Sequence, residues 1–203
     1  MEVSNDKIYL SIVKELEREG DEVFALNRNR LIGEEIISYG TRTAEIRRVI
    51  KNYWREFRES KTKKDWLQIV EKLLSTRVFD SQMAGIFLLG HVVKKFLVEI
   101  SVIKRLISKY IDNWATCDAI SSEIAIKFRN SPKSIGDIIE WAKSQNPFLR
   151  RVAVVTLVKV KSKIKNWKKI VSQIFSLFDK EKEPIVKKAL VWLKKETFSQ
   201  SGV

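Results

Sequence analysis

Apolar residues recur along most of the chain at steps of three and four residues, the period of an amphipathic helix. This pattern predicts eleven helices separated by short polar turns. Their bounds lie near 4–19, 21–37, 43–58, 62–75, 80–95, 99–111, 113–129, 134–145, 147–160, 166–178 and 184–198. Pro147 and Pro184 each fall in a predicted first turn, where the missing N–H of proline costs nothing. No segment alternates in the manner of a β-strand, so the predicted fold class is all-α.

Three similar segments suggest an internal repeat. Each has a polar residue followed by small and branched apolar residues, and they lie at 82–86, 151–155 and 188–192. The spacings agree with a period of roughly 35 residues and two helices per unit, which is typical of an α-solenoid. Such stacks of antiparallel helix pairs have a concave face that suits a rod-like ligand. No linker divides residues 1–203, so we expect a single domain.

Positive charge is concentrated near the C-terminal end. The whole chain has 39 basic and 25 acidic residues, a net charge of +14. Residues 150–195 alone contain 14 basic and 3 acidic residues, whereas residues 1–99 and 100–149 are each close to neutral. This asymmetry indicates an anionic partner, for which a phosphate backbone is the leading candidate. A lysine-rich face that serves only solubility is the alternative.

Several classes of protein are excluded by composition. With one cysteine, Cys117, and one histidine, His91, the chain can form neither an internal disulfide nor a Cys/His zinc site. His91 is expected to pack between helices. The N-terminus lacks the layout of a signal peptide, and apolar runs such as 86–89 are far too short to span a bilayer. We therefore expect a cytoplasmic protein with no cofactor, no metal and no membrane partner.

Trp114 and Asp118 form the first candidate site. They are four residues apart on one predicted helix, so they share a face about one turn apart. Cys117, Ile120, Ile124 and Phe128 form the predicted buried stripe of this helix. An indole beside a carboxylate is suited to a positively charged group. The alternative is a solvated aspartate next to a tryptophan of the core.

The last helix carries a second tryptophan outside its predicted core stripe, which is Val186, Ala189 or Leu190, and Leu193. Trp192 instead shares a line with Lys188 and Lys195, an arrangement that favours nucleic-acid contact over packing. Packing under a neighbouring helix is the competing interpretation.

Two arginines stand out on the helix that starts at Pro147. Its predicted core positions are Phe148, Leu149, Val152, Val155 and Leu157. The pattern therefore predicts that Arg150 and Arg151 project outward, where a guanidinium can grip a phosphate with two hydrogen bonds.

Taken together, three blocks resemble the AlkC/AlkD-type DNA alkylation repair family, HEAT-like α-solenoid DNA glycosylases. They are Trp114-x-x-x-Asp118, the segment 148–153 with Arg151, and the segment 188–192 ending in Trp192. The likeness covers roughly residues 100–198. A less specific block, 39–47, places Arg42 and Arg47 in the family's early turn and helix. Asn113 and Ala115 depart from the family pattern, which commonly has a second tryptophan and a second acidic residue there.

The resemblance implies excision of N3- or N7-alkylated purines from duplex DNA by a monomer that needs no cofactor. Asp118 would be the catalytic carboxylate, stabilising the sugar as it becomes positively charged. The implied DNA-binding residues are Trp114, Trp192, Arg151, Lys188, Arg150, Arg47 and Arg42. This role requires Asp118 to be free of neutralising partners. We expect the repair-enzyme interpretation to fail if that side chain is locked in an ion pair or lies on the convex outside of the solenoid. The alternatives are a non-catalytic HEAT-like binder of damaged DNA and a solenoid scaffold for an acidic protein.

Overall fold

The computed structural model describes residues 3–33, 35–128, 132–161 and 167–198, and within these ranges the fold is all-α, as predicted. The helices are α1 (Asn5–Arg18), α2 (Glu22–Ile32), α3 (Thr43–Phe57), α4 (Lys63–Ser75), α5 (Phe79–Lys95), α6 (Ile100–Tyr110), α7 (Trp114–Ile124), α8 (Pro132–Ala142), α9 (Pro147–Val160), α10 (Trp167–Leu177) and α11 (Pro184–Phe198). A 3-10 turn, Ala125–Phe128, follows α7. None of the helices in these ranges combines the length and the apolar character that crossing a bilayer requires.

The predicted bounds agree with the observed ones within three residues, except at the C-terminal ends of α2 and α7. Helix α2 stops at Ile32 because Gly33 adopts the left-handed conformation, with φ 76°, and its N–H bonds to the carbonyl of Asn29. The prediction that α2 extends to residue 37 was wrong. Helix α7 tightens into the 3-10 turn after Ile124. The predicted ends at 129 and 166 lie outside the described residues.

The chain divides into two compact units, Met1–Val98 and Glu99–Val203. In the first, α5 is buried all round from Phe79 to Gly90, and α1, α3 and α4 pack against it and one another. Helices α3 and α5 run in the same direction. The guanidinium of Arg47 on α3 lies over the ring of Phe87 on α5. Further on, Lys95 Nζ at the end of α5 bonds to the carboxylate of Glu59, two residues beyond the end of α3.

A buried ion pair fixes the segment that leads into α3. Arg28 of α2 donates to Asp80 of α5 at 2.5 Å, and neither side chain is more than 7% exposed. Asp80 also accepts hydrogen bonds from the Ser38 hydroxyl and the Tyr39 N–H, while Arg28 donates to the carbonyl of Thr41. Because both charges are paired and hydrogen-bonded, the pair is tolerated in the interior. It holds the turn at 38–41 in place.

In the second unit, helices α7, α9 and α11 lie side by side in the same direction, with α9 in the middle. Ser121 of α7 contacts the Val152 carbonyl of α9, Arg151 at the start of α9 donates to the Ile185 carbonyl at the start of α11, and Lys161 just after α9 bonds to Glu196 near the end of α11. The paired residues are 31, 34 and 35 positions apart, close to the period of roughly 35 residues expected from the sequence. Residues 151–157 of α9 are all buried.

Candidate nucleic-acid interface

Helix α7 presents Trp114 and Asp118 on the face next to its buried stripe. Asn113 caps the helix by accepting a hydrogen bond from the Thr116 N–H at 3.0 Å, and Asn113 itself is only 2% exposed. The predicted buried stripe is confirmed, since Cys117, Ile120, Ile124 and Phe128 are no more than 1% exposed. Trp114 and Asp118 are both half-buried. Asn113, one of the departures from the family pattern, thus has a structural role as a helix cap.

Asp118 is not free of neutralising partners, and the prediction that it would be was wrong. Arg151 of α9 donates from Nε and Nη2 to the two carboxylate oxygens, at 3.0 and 2.9 Å. The Arg151 side chain is 7% exposed and that of Asp118 is 26% exposed. A third bond, from Nη1 to the Ile185 carbonyl, fixes the guanidinium against α11. With three hydrogen bonds to two partners and little exposure, Arg151 is poorly placed to grip a phosphate, contrary to the sequence-based prediction.

Arg150 also fails to project. Its guanidinium donates to both oxygens of Glu181, at 2.7 and 3.0 Å, and to the carbonyl of Ser144. Burial raises the pKa of the Glu181 carboxyl, but the Arg150 hydrogen bond and charge and the backbone N–H groups of Glu183 and Lys182 lower it more, so the pKa is below its ordinary value. Arg150 therefore joins α9 to the segment before α11 rather than facing a partner.

Both errors have one cause. The partners Asp118 and Glu181 are 33 and 31 residues away from their arginines in sequence. Helical spacing within α9 shows which direction a side chain takes, but not which acidic residue a neighbouring helix places there. The sequence offers one clue to these ion pairs. Residues 150–195 contain only 3 acidic residues, and one of them, Glu181, forms the ion pair with Arg150.

Trp192 is half-buried on α11, outside the core stripe formed by Val186, Ala189 and Leu193. The stripe is confirmed, with Ala189 in place of Leu190. The cation on the indole comes from a neighbouring helix, because Lys159 Nζ of α9 lies 4.8 Å from the ring centroid. Lys188, which shares a line with Trp192, is exposed. Lys159 was missed because only the register between α9 and α11 brings it to the ring.

The positive charge that remains at the surface of this unit is carried by lysines. From α9 onward, among the residues that the structure describes, the following lysines are exposed and have no ion-pair partner there: Lys159, Lys168, Lys169, Lys180, Lys182, Lys187, Lys188, Lys194 and Lys195. Lys163 and Lys165 lie outside the described residues. A set of exposed ammonium groups without ion-pair partners is typical of a surface that binds phosphates.

Arg42 and Arg47 belong to the first unit, and both residues are exposed. The Arg42 guanidinium lies 5.5 Å from the Phe24 ring, and that of Arg47 lies 3.7 Å from the Phe87 ring. Gly40, just before them, has φ 83°, and a Cβ there would come within 1.8 Å of the Asp21 carbonyl oxygen.

A model of the family described as DNA alkylation repair enzyme matches residues 12–197, nearly the whole chain. The chain belongs to the DNA alkylation repair enzyme family. This membership supports a role in the repair of alkylated DNA, with DNA as the partner. The expectation that an ion pair at Asp118 would exclude such a role was therefore wrong. Among curated proteins, no match to the chain is found.

Three of the four remaining tryptophans of this family member, Trp54, Trp66 and Trp141, are buried, whereas Trp167 is half-buried. His91 stacks on Trp54 with ring centroids 5.3 Å apart, which confirms its packing role. Within the described ranges, no group of three His, Cys, Asp or Glu side chains is arranged to hold a metal ion.

Proposed function

We propose that this repair enzyme is a DNA glycosylase that excises N3- or N7-alkylated purines from duplex DNA. An alkylated purine carries a positive charge and leaves as a neutral base, so the reaction requires no strong general acid. The bond between the sugar and the purine breaks with its electron pair moving to the base. A water oxygen then bonds to the sugar carbon and the water gives up one proton to the solvent, which leaves a neutral hydroxyl on the sugar. The sugar acquires positive character along this path, and a nearby carboxylate stabilises it.

Asp118 is the residue that would supply this stabilisation. Its carboxylate lies on the same face of α7 as Trp114 and is 26% exposed, so the oxygens are held in place by Arg151 without being covered. The row of α7, α9 and α11 would form one face of a HEAT-like solenoid along which the duplex lies. Trp114 and Trp192 would contact the lesion through their rings, and the exposed lysines would hold phosphates.

The ion pair reduces what Asp118 can contribute, and the reduction can be estimated. At an effective dielectric constant of roughly 20, a carboxylate ~4 Å from a unit positive charge stabilises it by ~4 kcal/mol. A guanidinium ~8 Å from the same charge opposes this by ~2 kcal/mol. The pair as a whole would then lower the barrier by ~2 kcal/mol, which is roughly 30-fold in rate. This is a useful but modest effect.

Base release from N-methylated duplex DNA under single-turnover conditions tests the proposal. Asp118→Asn removes the attraction and leaves the opposing guanidinium, so excision should fall by ~10²-fold or more, while affinity for the duplex stays near that of the wild type. Asp118→Asn combined with Arg151→Met removes both charges, and its rate should lie only roughly 30-fold below wild type. Thermal unfolding of each variant checks that the fold is intact.

Asp137→Asn on α8 is the matched control for loss of one half-buried carboxylate, and it should leave excision unchanged. Wild-type excision by Asp118→Asn would overturn the assignment of the carboxylate. A double variant no faster than the single variant would overturn the charge balance described for the pair.

The second candidate function is a non-catalytic binder of damaged DNA, and the Asp118–Arg151 pair is the observation that favours it. In that case the pair only joins α7 to α9. The wild-type protein would then bind N-methylated duplex without releasing a base, at any ratio of protein to DNA.

A further inference from the structure

The indole of Trp192 has an ammonium group over its ring in the protein without DNA. Lys159 Nζ of α9 lies 4.8 Å from the ring centroid, within the distance at which a cation is attracted to an aromatic face. Just beyond Lys159, Lys161 bonds to the Glu196 carboxylate at 3.1 Å. That bond ties the end of α9 to α11 and keeps Lys159 beside Trp192.

Lys159 is held much less firmly than Arg151, the other cation of α9 at this site. Arg151 has three hydrogen bonds and a side chain that is 7% exposed. Lys159 is exposed and, among the described residues, has no carboxylate partner. An exposed cation–π contact is worth only ~0.5–1 kcal/mol. The ammonium of Lys159 can therefore leave the ring when a better partner is present, whereas the guanidinium of Arg151 cannot leave as easily.

A ring face that already carries one cation repels a second. Two unit positive charges ~4 Å apart repel each other by ~1 kcal/mol in water and by ~4 kcal/mol at an effective dielectric constant of roughly 20. A positively charged base or sugar could use the same face of Trp192 only after the ammonium has moved. A DNA phosphate offers the ammonium a full negative charge in exchange for the ring.

We propose that Lys159 is a specificity-determining residue, a resident cation that leaves Trp192 for a DNA phosphate and so makes the ring face available to a positively charged lesion. This rests on the proposed function of Trp192 in lesion binding. In the protein without DNA, Lys159 occupies the face and excludes other cations. On DNA, the ammonium of Lys159 contacts a phosphate. In the fraction of molecules in which the ammonium remains over the Trp192 ring, it competes with the lesion.

The first arm of the test follows the indole itself. Trp192 is identified among the 15N-labelled indole N–H signals by its loss in Trp192→Phe. In the protein without DNA, Lys159→Gln should shift this signal, because the ammonium over the ring is removed. Unmodified duplex DNA added to the wild type should shift it in the same direction. A Trp192 signal that responds to neither change would overturn the proposal, whatever the protein does to alkylated DNA.

The second arm measures affinity for an N-methylated duplex relative to the same unmodified duplex. Lys159→Gln should weaken binding of both through loss of a phosphate contact, but should raise the ratio by roughly 2- to 5-fold, because the competing cation is gone. Lys104→Gln on α6, an exposed lysine far along the chain from α9, is the control for loss of one charge and should leave the ratio unchanged.

The two arms separate this inference from the proposed function. One result is that the wild type prefers the N-methylated duplex while Lys159→Gln shows no greater preference. This result would overturn the role of Lys159 and leave the glycosylase proposal standing. A wild-type ratio of one, with no base released, would remove the lesion-binding role of Trp192 and the specificity role of Lys159 with it. The indole signal would still show whether the ammonium moves from the ring to DNA.

Discussion

Arg151 and Asp118 form a two-pronged ion pair between the second and the first of three parallel helices, and the same guanidinium also bonds to the third. One side chain thus joins α7, α9 and α11. Within the proposed function, it sets the orientation of the carboxylate while opposing part of its charge. In that function Arg151 is a positioning residue rather than a phosphate contact. Positioning and phosphate binding predict different outcomes for a variant of Arg151.

Arg151→Ala should destabilise the fold and leave the salt dependence of DNA binding unchanged. Removing one partner of a buried ion pair costs roughly 3–5 kcal/mol, and the partial exposure of Asp118 places this case at the lower end. Urea unfolding would measure the loss of stability, and DNA affinity over a range of salt concentrations would measure the slope. If the slope falls while stability is retained, Arg151 binds a phosphate after all.

The exposed lysines of α11 should account for much of the salt dependence. Each phosphate contact contributes ~0.9 to the slope of log affinity against log salt concentration. Lys188→Gln combined with Lys195→Gln should therefore lower the slope by up to ~1.8. Lys14→Gln combined with Lys64→Gln removes the same charge from exposed positions of the first unit. Equal slopes in the two double variants would contradict an interface centred on α11.

Asp65 should make stability depend on acid pH. Hydrogen bonds from the Thr62 hydroxyl, the Asn5 amide and the Thr62 N–H lower the pKa of Asp65 from 3.8 to about 2. Because the pKa in the folded state is below that of the unfolded chain, the stabilisation is complete above pH ~4 and is lost as the pH falls towards ~2. Asp65→Asn should unfold at lower temperature than the wild type at neutral pH, and the two should converge near pH 2. A constant difference across this range would contradict the assignment.

Two glycines allow backbone strain to be separated from a steric clash. Gly33 and Gly40 both have positive φ, but a Cβ at Gly33 meets nothing within 4 Å, whereas at Gly40 it would meet the Asp21 backbone. Gly33→Ala should cost only the strain of the left-handed conformation, ~1–2 kcal/mol. Gly40→Ala should cost several times as much or prevent folding. Comparable unfolding midpoints for the two variants would be inconsistent with a clash at Gly40.

The helices could be predicted from the sequence because each one is determined by contacts along its own length. The buried stripe of α7, Cys117, Ile120, Ile124 and Phe128, depends only on spacing, and it was predicted in full. The end of α2 was predicted five residues too late, at 37, although a glycine, Gly33, follows its last helical residue, Ile32. A glycine one residue past the last helical position is a strong signal for the end of a helix.

The candidate site was predicted less completely because it depends on how helices align with one another. Trp114 and Asp118 share a helix, so their shared face could be derived. The partners of Asp118, Arg150 and Trp192 come from other segments, at a distance of 31 to 33 residues. A shift of one helical turn between α9 and α11 would have moved Lys159 away from Trp192, and no local pattern specifies that shift.

Cys117 precedes Asp118 in the chain and is fully buried, with its sulfur 3.6 Å from the carbonyl oxygen of Phe148 at the start of α9. An alkylating reagent can reach this thiol only while α7 and α9 are separated. Since it is the single cysteine of the protein, its rate of modification measures how often the helices that carry Asp118 and Arg151 separate transiently. No label has to be introduced to follow that motion.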